Sequence, residues 1–266
     1  MSDLVVKSNE KPDEGGSVVK VTPSSAGWEY VGFEVLRLAE GQTVERGAGS
    51  EEVCLVVLSG VCNVSAGGDA WKNIGGRETV FDGPPSALYL PPDTDYGIEA
   101  VSYLELAVCS APASDGTAPF LVRPEDIAVE VRGSGNAERR IHPILMGDEP
   151  VERLLVTEVL TPNGHWSSYP PHKHDQDDLP NESYLEETYY HKVRPTRGFA
   201  VQRVYTEDGS LDETMTVQDG DTVLVPRGYH AVSAPPGYDL YYLNVMAGPV
   251  REWKFRNDPD HEWLFG

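Results

Sequence analysis

Apolar positions along this chain come in short bursts, not in helical stripes. Strand-like pieces recur at residues 30–38, 53–58, 86–90, 103–109, 154–160, 199–205, 222–225 and 240–245, most of them closed off by Gly, Pro, Asp or Asn. Helical periodicity is weak throughout. Many short strands without intervening helices predict an all-β chain, a sandwich or closed barrel rather than a parallel α/β sheet. No apolar run approaches the roughly 18 residues that a membrane helix needs.

The two halves look like distant copies. GSEEVCLVVLSG at 49–60 precedes LYLPPDTDY at 88–96, and LEETYY at 185–190 precedes LVPRGYH at 224–230. In each half a Glu-Glu pair opens an apolar strand, and about 35 to 40 residues later a strand ends in a proline turn, as expected of a duplicated domain. The connectors APASDGTAP and GSGNAER place the boundary within 112–142 and predict domains 1–130 and 131–266. The copies differ in chemistry. All seven histidines lie from His142 onward, and Tyr96 stands where the second half has His230. A histidine-based site can therefore belong only to the C-terminal half.

Composition narrows the function classes. At 266 residues, with 39% hydrophobic and 24% charged, the chain can bury one large core or two medium ones. A net charge of −22 with no basic cluster argues against nucleic-acid or membrane partners. An anionic substrate would then need local arginines. Cys54, Cys62 and Cys109 form no C-x-x-C pair and read as buried thiols. With no secretory signal visible at the N-terminus, a cytoplasmic location is expected.

The candidate chemistry lies in His172-Lys173-His174, Glu187 and His230. Two histidines at i and i+2 point the same way only on a strand. Three imidazoles and one carboxylate suit one divalent metal with open positions, zinc first, with manganese, iron and nickel as alternatives. If Glu187 faces inward, alternation brings Tyr189 and His191 to the same face, either able to shuttle a proton or bind a hydroxyl. Asp175 or Glu182 of the acidic segment 175–185 could serve instead, and Glu186 is the rival to Glu187 as ligand. A substrate carboxylate favours a planar guanidinium. Arg203 is the first candidate, with Arg227 and Arg251 behind it. Gln202 faces the opposite side from Arg203, so only one of the two can point inward. Tyr242 and Asn244, on one face of the last strand, could bind hydroxyls. His165 and His261 read as structural, and Trp253 and Trp263 as packing the C-terminal tail.

These features resemble the cupin superfamily. Its second motif, G-x5-P-x-G-x2-H, fits Gly220, Pro226, Gly228 and His230 with one residue fewer before the histidine. Its first, G-x5-H-x-H-x3/4-E-x6-G, fits only in order, because twelve residues separate His174 from Glu187. A closer resemblance covers nearly the whole C-terminal half: SSYPPHKHD, LEETYYHK, GFAVQRVYT, VPRGYH, PPGYDLYYLNVMAG and DPDHEW, in that order. Together they resemble the 5-deoxy-glucuronate isomerase family of myo-inositol catabolism. The resemblance implies a bicupin of two jelly-roll barrels, the N-terminal one lacking the metal site. It also implies metal-assisted conversion of 5-deoxy-glucuronate to 5-dehydro-2-deoxy-gluconate, a small uronic-acid substrate. A cupin dioxygenase and a non-enzymatic sugar-acid binding module are the competing readings. Cupin barrels often pair, so a homo-oligomer is plausible.

Overall fold

Each apolar burst becomes a strand, altered by at most three residues at either end. The strands that hydropathy leaves unseen are polar. Thr43–Gly47 alternates half-buried with exposed positions, Asp69–Gly75 is largely exposed, and Asp212–Val217 alternates exposed with covered positions. Strands with one solvated face dilute the apolar signal that marks their neighbours. The computed structural model describes residues 3–265, and among these helix is confined to the short Pro23–Ala26 turn and a few 3-10 segments. The chain is all-β.

Two compact units emerge. The first contains Ser8–Ala128 and Pro143–Val156. Its six-stranded sheet runs Phe120–Val122, Ala87–Leu90, Glu51–Ser59, Leu104–Pro112, Gly32–Leu38, Ser17–Val21. Its four-stranded sheet runs Thr43–Gly47, Asp95–Ala100, Val61–Ala66, Asp69–Gly75. Leu36, Leu55 and Leu106 of the first sheet share one core with Val64, Ile74 and Ile98 of the second. The two sheets therefore face each other across an apolar layer.

The second unit comprises the N-terminal residues through Lys7, Val129–His142 and the chain from Thr157 on. Its larger sheet runs Val5–Val6, Thr222–Val225, Glu186–Arg194, Asp239–Ala247, Leu155–Thr161, Arg139–Leu145, Glu130–Arg132. The smaller runs Asp212–Val217, Ala200–Tyr205, Tyr229–Ser233, Trp166–Lys173, Arg256–Asn257. Val193, Val223 and Leu240 meet Val204, Val217 and Val232 in its core. The acidic segment 175–185 becomes a small hairpin, Asp175–Asp178 with Glu182–Tyr184.

A single cut between 130 and 131 leaves two exchanges out. Val5–Val6 pairs with Thr222–Val225, and Lys7 reaches Asp221 at 2.6 Å, which ties the N-terminal strand to the second unit. Residues 143–156 belong to the first unit, and the fully buried carboxylate of Glu52 shows why. It accepts the backbone N–H groups of Glu152 (2.9 Å), Arg153 (2.7 Å) and Leu154 (2.7 Å), and the Tyr89 hydroxyl at 3.0 Å. A buried charge is tolerated where its lone pairs are filled in this way. Glu52→Ala should cost roughly 3 kcal/mol or more, because it strands the buried Leu154 N–H and two part-buried ones. Urea unfolding followed by tryptophan fluorescence will read it, and an unchanged midpoint would remove Glu52 as the clasp.

Candidate metal centre

Strand alternation builds the centre. On Glu186–Arg194, Glu187, Tyr189, His191 and Val193 share one face, and Tyr189 and Val193 lie in the core of the second unit. Across the smaller sheet His172 is the register partner of His230. The ligand nitrogens of His172, His174 and His230 lie within 4.8 Å of one another. Lys173 turns the other way and binds Asp175 at 2.7 Å and Glu182 at 3.0 Å, which pins the acidic hairpin beside the histidines. The turn before His230 needs a glycine. Gly228 sits at φ +86°, a Cβ there would meet the Tyr205 carbonyl oxygen at 2.4 Å, and its N–H donates to Asp175 Oδ2 at 2.7 Å.

Glu187 closes the cluster. Its Oε2 lies 3.1 Å from His174 Nε2 and 3.2 Å from His230 Nε2, and its Oε1 accepts Asn244 Nδ2 at 2.7 Å. Burial works to raise the Glu187 pKa, but His174 and His230 outweigh it and hold the carboxyl down at about 2. Burial, then the neighbouring His230 and His174, pushes His172 well below the usual imidazole range. Burial works to lower the His174 pKa, but its contact with Glu187 raises it more strongly.

The donor set fits a divalent cation. His174 Nδ1 lies 3.1 Å from the Leu185 carbonyl oxygen and His230 Nδ1 lies 3.2 Å from that of Gly228, so each Nδ1 carries the proton. Both Nε2 atoms then face the centre, where each would present a lone pair to a bound cation, and the buried Nε2 of His230 has no well-aligned hydrogen-bond partner. Backbone carbonyls fixing the tautomer of two imidazoles is the arrangement that metal-ligating histidines require.

A model of the KduI/IolB family matches residues 4–264. The chain belongs to the KduI/IolB family. Relatives in this family include the 5-deoxy-glucuronate isomerase of Geobacillus kaustophilus (strain HTA426), 59% identical over 99% of this chain and 96% of that one. The protein of the same name from Bacillus subtilis (strain 168) is 48% identical over 93% and 92%. An IolB-like protein from Salmonella typhimurium LT2 superposes on the whole of both chains with a TM-score of 0.96 and 43% identity. The Bacillus subtilis oxalate decarboxylase, at 15% identity and a TM-score of 0.67 over 97% of this chain and 80% of that one, shares the fold alone. Both levels of similarity are consistent with the bicupin architecture.

Within this KduI/IolB chain the other expected site residues divide into inner and outer groups. Glu186 faces away from the histidines, whereas Glu187 lies among them. Tyr189 is buried beside the cluster, its ring 5.7 Å from that of His230, and its hydroxyl meets Ser168 Oγ at 2.9 Å. Burial, then Glu187, raises its pKa well above the usual phenol value. His191 lies behind Tyr189, ring to ring at 6.0 Å, and its Nε2 meets Gln202 Oε1 at 2.9 Å while Nδ1 stays buried without a partner. Burial lowers His191 to about 4, so it is neutral. Tyr242 bonds Ser167 Oγ.

Several expectations need correction. Arg203 points outward. It is exposed, pairs with Asp212 at 2.8 Å and lies over the Tyr205 ring at 4.0 Å, because Gln202 takes the inward position on the same strand. Arg227 is exposed and reaches Ser210. Asn244 orients Glu187, so its amide is already engaged. Asp175 and Glu182 are held by Lys173, which removes both as free bases. Trp253 does pack, 5.0 Å from Phe255, but Trp263 is 73% exposed. Alternation alone also missed Ser167 and Ser168. Ser168 sits at φ 49° where the register to Tyr229–Ser233 is broken, so adjacent hydroxyls both turn toward the inner tyrosines.

Two substitutions test this assignment. Asn244→Ala should weaken zinc and manganese affinity about 10- to 100-fold by freeing the Glu187 carboxylate, as titration calorimetry will show. Arg203→Ala should leave turnover within about twofold, since an exposed ion pair contributes little. A steady-state loss of a hundredfold would return Arg203 to the site.

Proposed function

We propose that this protein is a cytoplasmic 5-deoxy-glucuronate isomerase, moving the carbonyl from C1 to C2 of a six-carbon acid sugar to form 5-dehydro-2-deoxy-gluconate. The observation that carries the reading is the histidine cluster closed by Glu187, in a chain 59% identical over its length to a protein of that name. His172, His174, Glu187 and His230 would hold one divalent cation per chain, zinc before manganese, iron or nickel. Bound there, the cation supplies Lewis-acid stabilisation of negative charge on the substrate's carbonyl and adjacent hydroxyl oxygens.

The protein's own side chains do the rest. Tyr189, beside His230 and held protonated by burial, donates to a substrate oxygen and keeps it oriented. His191 is neutral, with Nε2 donating to Gln202, which leaves the unpartnered Nδ1 lone pair to take the proton from the substrate carbon and return it to the neighbouring one. Tyr242, beside Tyr189 on the neighbouring strand, and its partner Ser167 supply further hydroxyl contacts. Buried free thiols suit a reducing compartment: burial pushes Cys62 up to about 12 and raises Cys54 and Cys109 well above the ordinary thiol range. No observation favours a dioxygenase or a non-enzymatic binding module.

Metal analysis combined with an NMR assay on 5-deoxy-glucuronate in deuterated water will decide. The wild-type protein should carry about one metal per chain and produce the keto acid with a new C–D bond. His172→Ala should lose the metal and at least about 1000-fold in turnover, while its circular dichroism stays that of folded β-sheet. Full turnover by a metal-free His172→Ala protein would overturn the mechanism.

A further inference from the structure

An acid sugar needs a cation for its carboxylate, and the residue expected to supply one, Arg203, faces solvent. The second unit holds another arginine in a different electrical state. Arg139, at the start of Arg139–Leu145, is half-buried and donates Nη1 only to backbone carbonyls, Ala137 at 3.0 Å and Tyr169 at 3.5 Å. Among the described residues no carboxylate contacts it. Its neighbour Arg132 is satisfied by Glu130, through Nε at 2.9 Å and Nη2 at 2.7 Å, and Lys173 by Asp175 and Glu182. In a chain with 43 acidic residues against 21 basic ones, a half-buried guanidinium without an acidic partner is out of keeping with its surroundings.

Arg139 also lines a cavity of about 690 Å³, together with Arg132, Asn136, Trp166 and Tyr169. Trp166 and Tyr169 lie on Trp166–Lys173, the strand that carries His172, and between them Ser167 and Ser168 hold Tyr242 and Tyr189. On another wall Arg132 stacks over Trp253 at 5.5 Å, and the Trp253 ring lies 6.5 Å from His172. The charge of Arg139 is felt at His172, Tyr189 and Tyr242. An extended six-carbon acid places its carboxylate five carbon–carbon bonds, on the order of 6 Å, from C1. Such a molecule needs its cation beside the metal cluster rather than within it, and Arg139 stands on the cavity next to the strand that carries His172.

We propose that Arg139 is the docking residue for the substrate carboxylate, with the cavity under Trp166 and Tyr169 receiving the acid end while the aldehyde end meets the His172, His174, Glu187 and His230 cluster. The assignment rests on the isomerase reading and adds the residue that makes it selective for acids. A guanidinium offers two parallel N–H donors to a carboxylate, which an ammonium cannot do.

The test uses the metal-loaded protein and the variants Arg139→Met and Arg139→Lys. Arg139→Met should raise KM for 5-deoxy-glucuronate about 10- to 100-fold, with Arg139→Lys in between, while metal content and melting temperature stay those of wild type. A 5-deoxy-hexose ending in a neutral CH2OH in place of the carboxylate should be a poor substrate for wild type and lose nothing further in Arg139→Met. An unchanged KM, or equal losses for the acid and the neutral sugar, would overturn the assignment. If wild type turns over no 5-deoxy-glucuronate, the isomerase reading fails separately. Calorimetry with glucuronate then still decides Arg139: affinity lost in Arg139→Met supports the docking role, and affinity retained ends it.

Discussion

A buried carboxylate at Glu187 is the constraint on which the centre depends. A charge removed from water is stable only if its surroundings replace the lost hydration. Here one oxygen faces His174 and His230 and the other takes the Asn244 amide. Those partners come from both sheets of the second unit, so the demand of one ionised group joins Glu186–Arg194 and Asp239–Ala247 to Trp166–Lys173 and Tyr229–Ser233. The same demand explains why the two ordered imidazoles bind backbone carbonyls through Nδ1: only then can Nε2 turn inward.

Comparison of strand registers in the two units shows how a duplicated scaffold keeps or loses this chemistry. In the second unit His230 opposes His172, and Glu187 opposes Val225, the residue before the proline turn. In the first, Tyr96 opposes Arg46, and Val53 opposes Leu90, again the residue before the proline turn. The positions of His172, His174, Glu187 and His230 are thus held by Arg46, Ala48, Val53 and Tyr96. Arg46 is occupied by Glu34, and Ala48, Val53 and Tyr96 join the apolar core. Where the second unit spends its interior on polar groups, the first fills the same space with packing. The first unit also retains a buried glutamate one residue before Val53. Glu52 corresponds to Glu186, and it clasps the 143–156 segment.

Charge distribution follows a parallel logic. The excess of carboxylates is spread over the surface, and most basic side chains near the centre are spoken for: Lys173 by the acidic hairpin, Arg132 by Glu130, Arg203 by Asp212. Local pairing of this kind leaves little free positive charge, so a single unpaired guanidinium carries weight far beyond its share of the composition.

The sequence by itself determined the fold class, the likeness of the two halves and the order of the candidate ligands, because those properties are local. Apolar bursts bounded by Gly and Pro set strands, and period-two alternation put Glu187 on one face with Tyr189 and Glu186 on the other with Tyr190, leaving open which face turns inward. Local pattern could equally show that Gln202 and Arg203 oppose each other, but not which of them points inward. That depends on the sheet packed opposite. The roles of Asn244 and Ser168 also needed the tertiary structure, one because its amide meets a residue 57 positions away and the other because a broken register turns it against alternation. The tie of 143–156 to the first unit and the position of Arg139 beside the cluster were likewise decided only in three dimensions. They arise from contacts between segments distant in the chain, and pairing across such distances is settled by burial and charge compensation, which no short stretch of sequence contains.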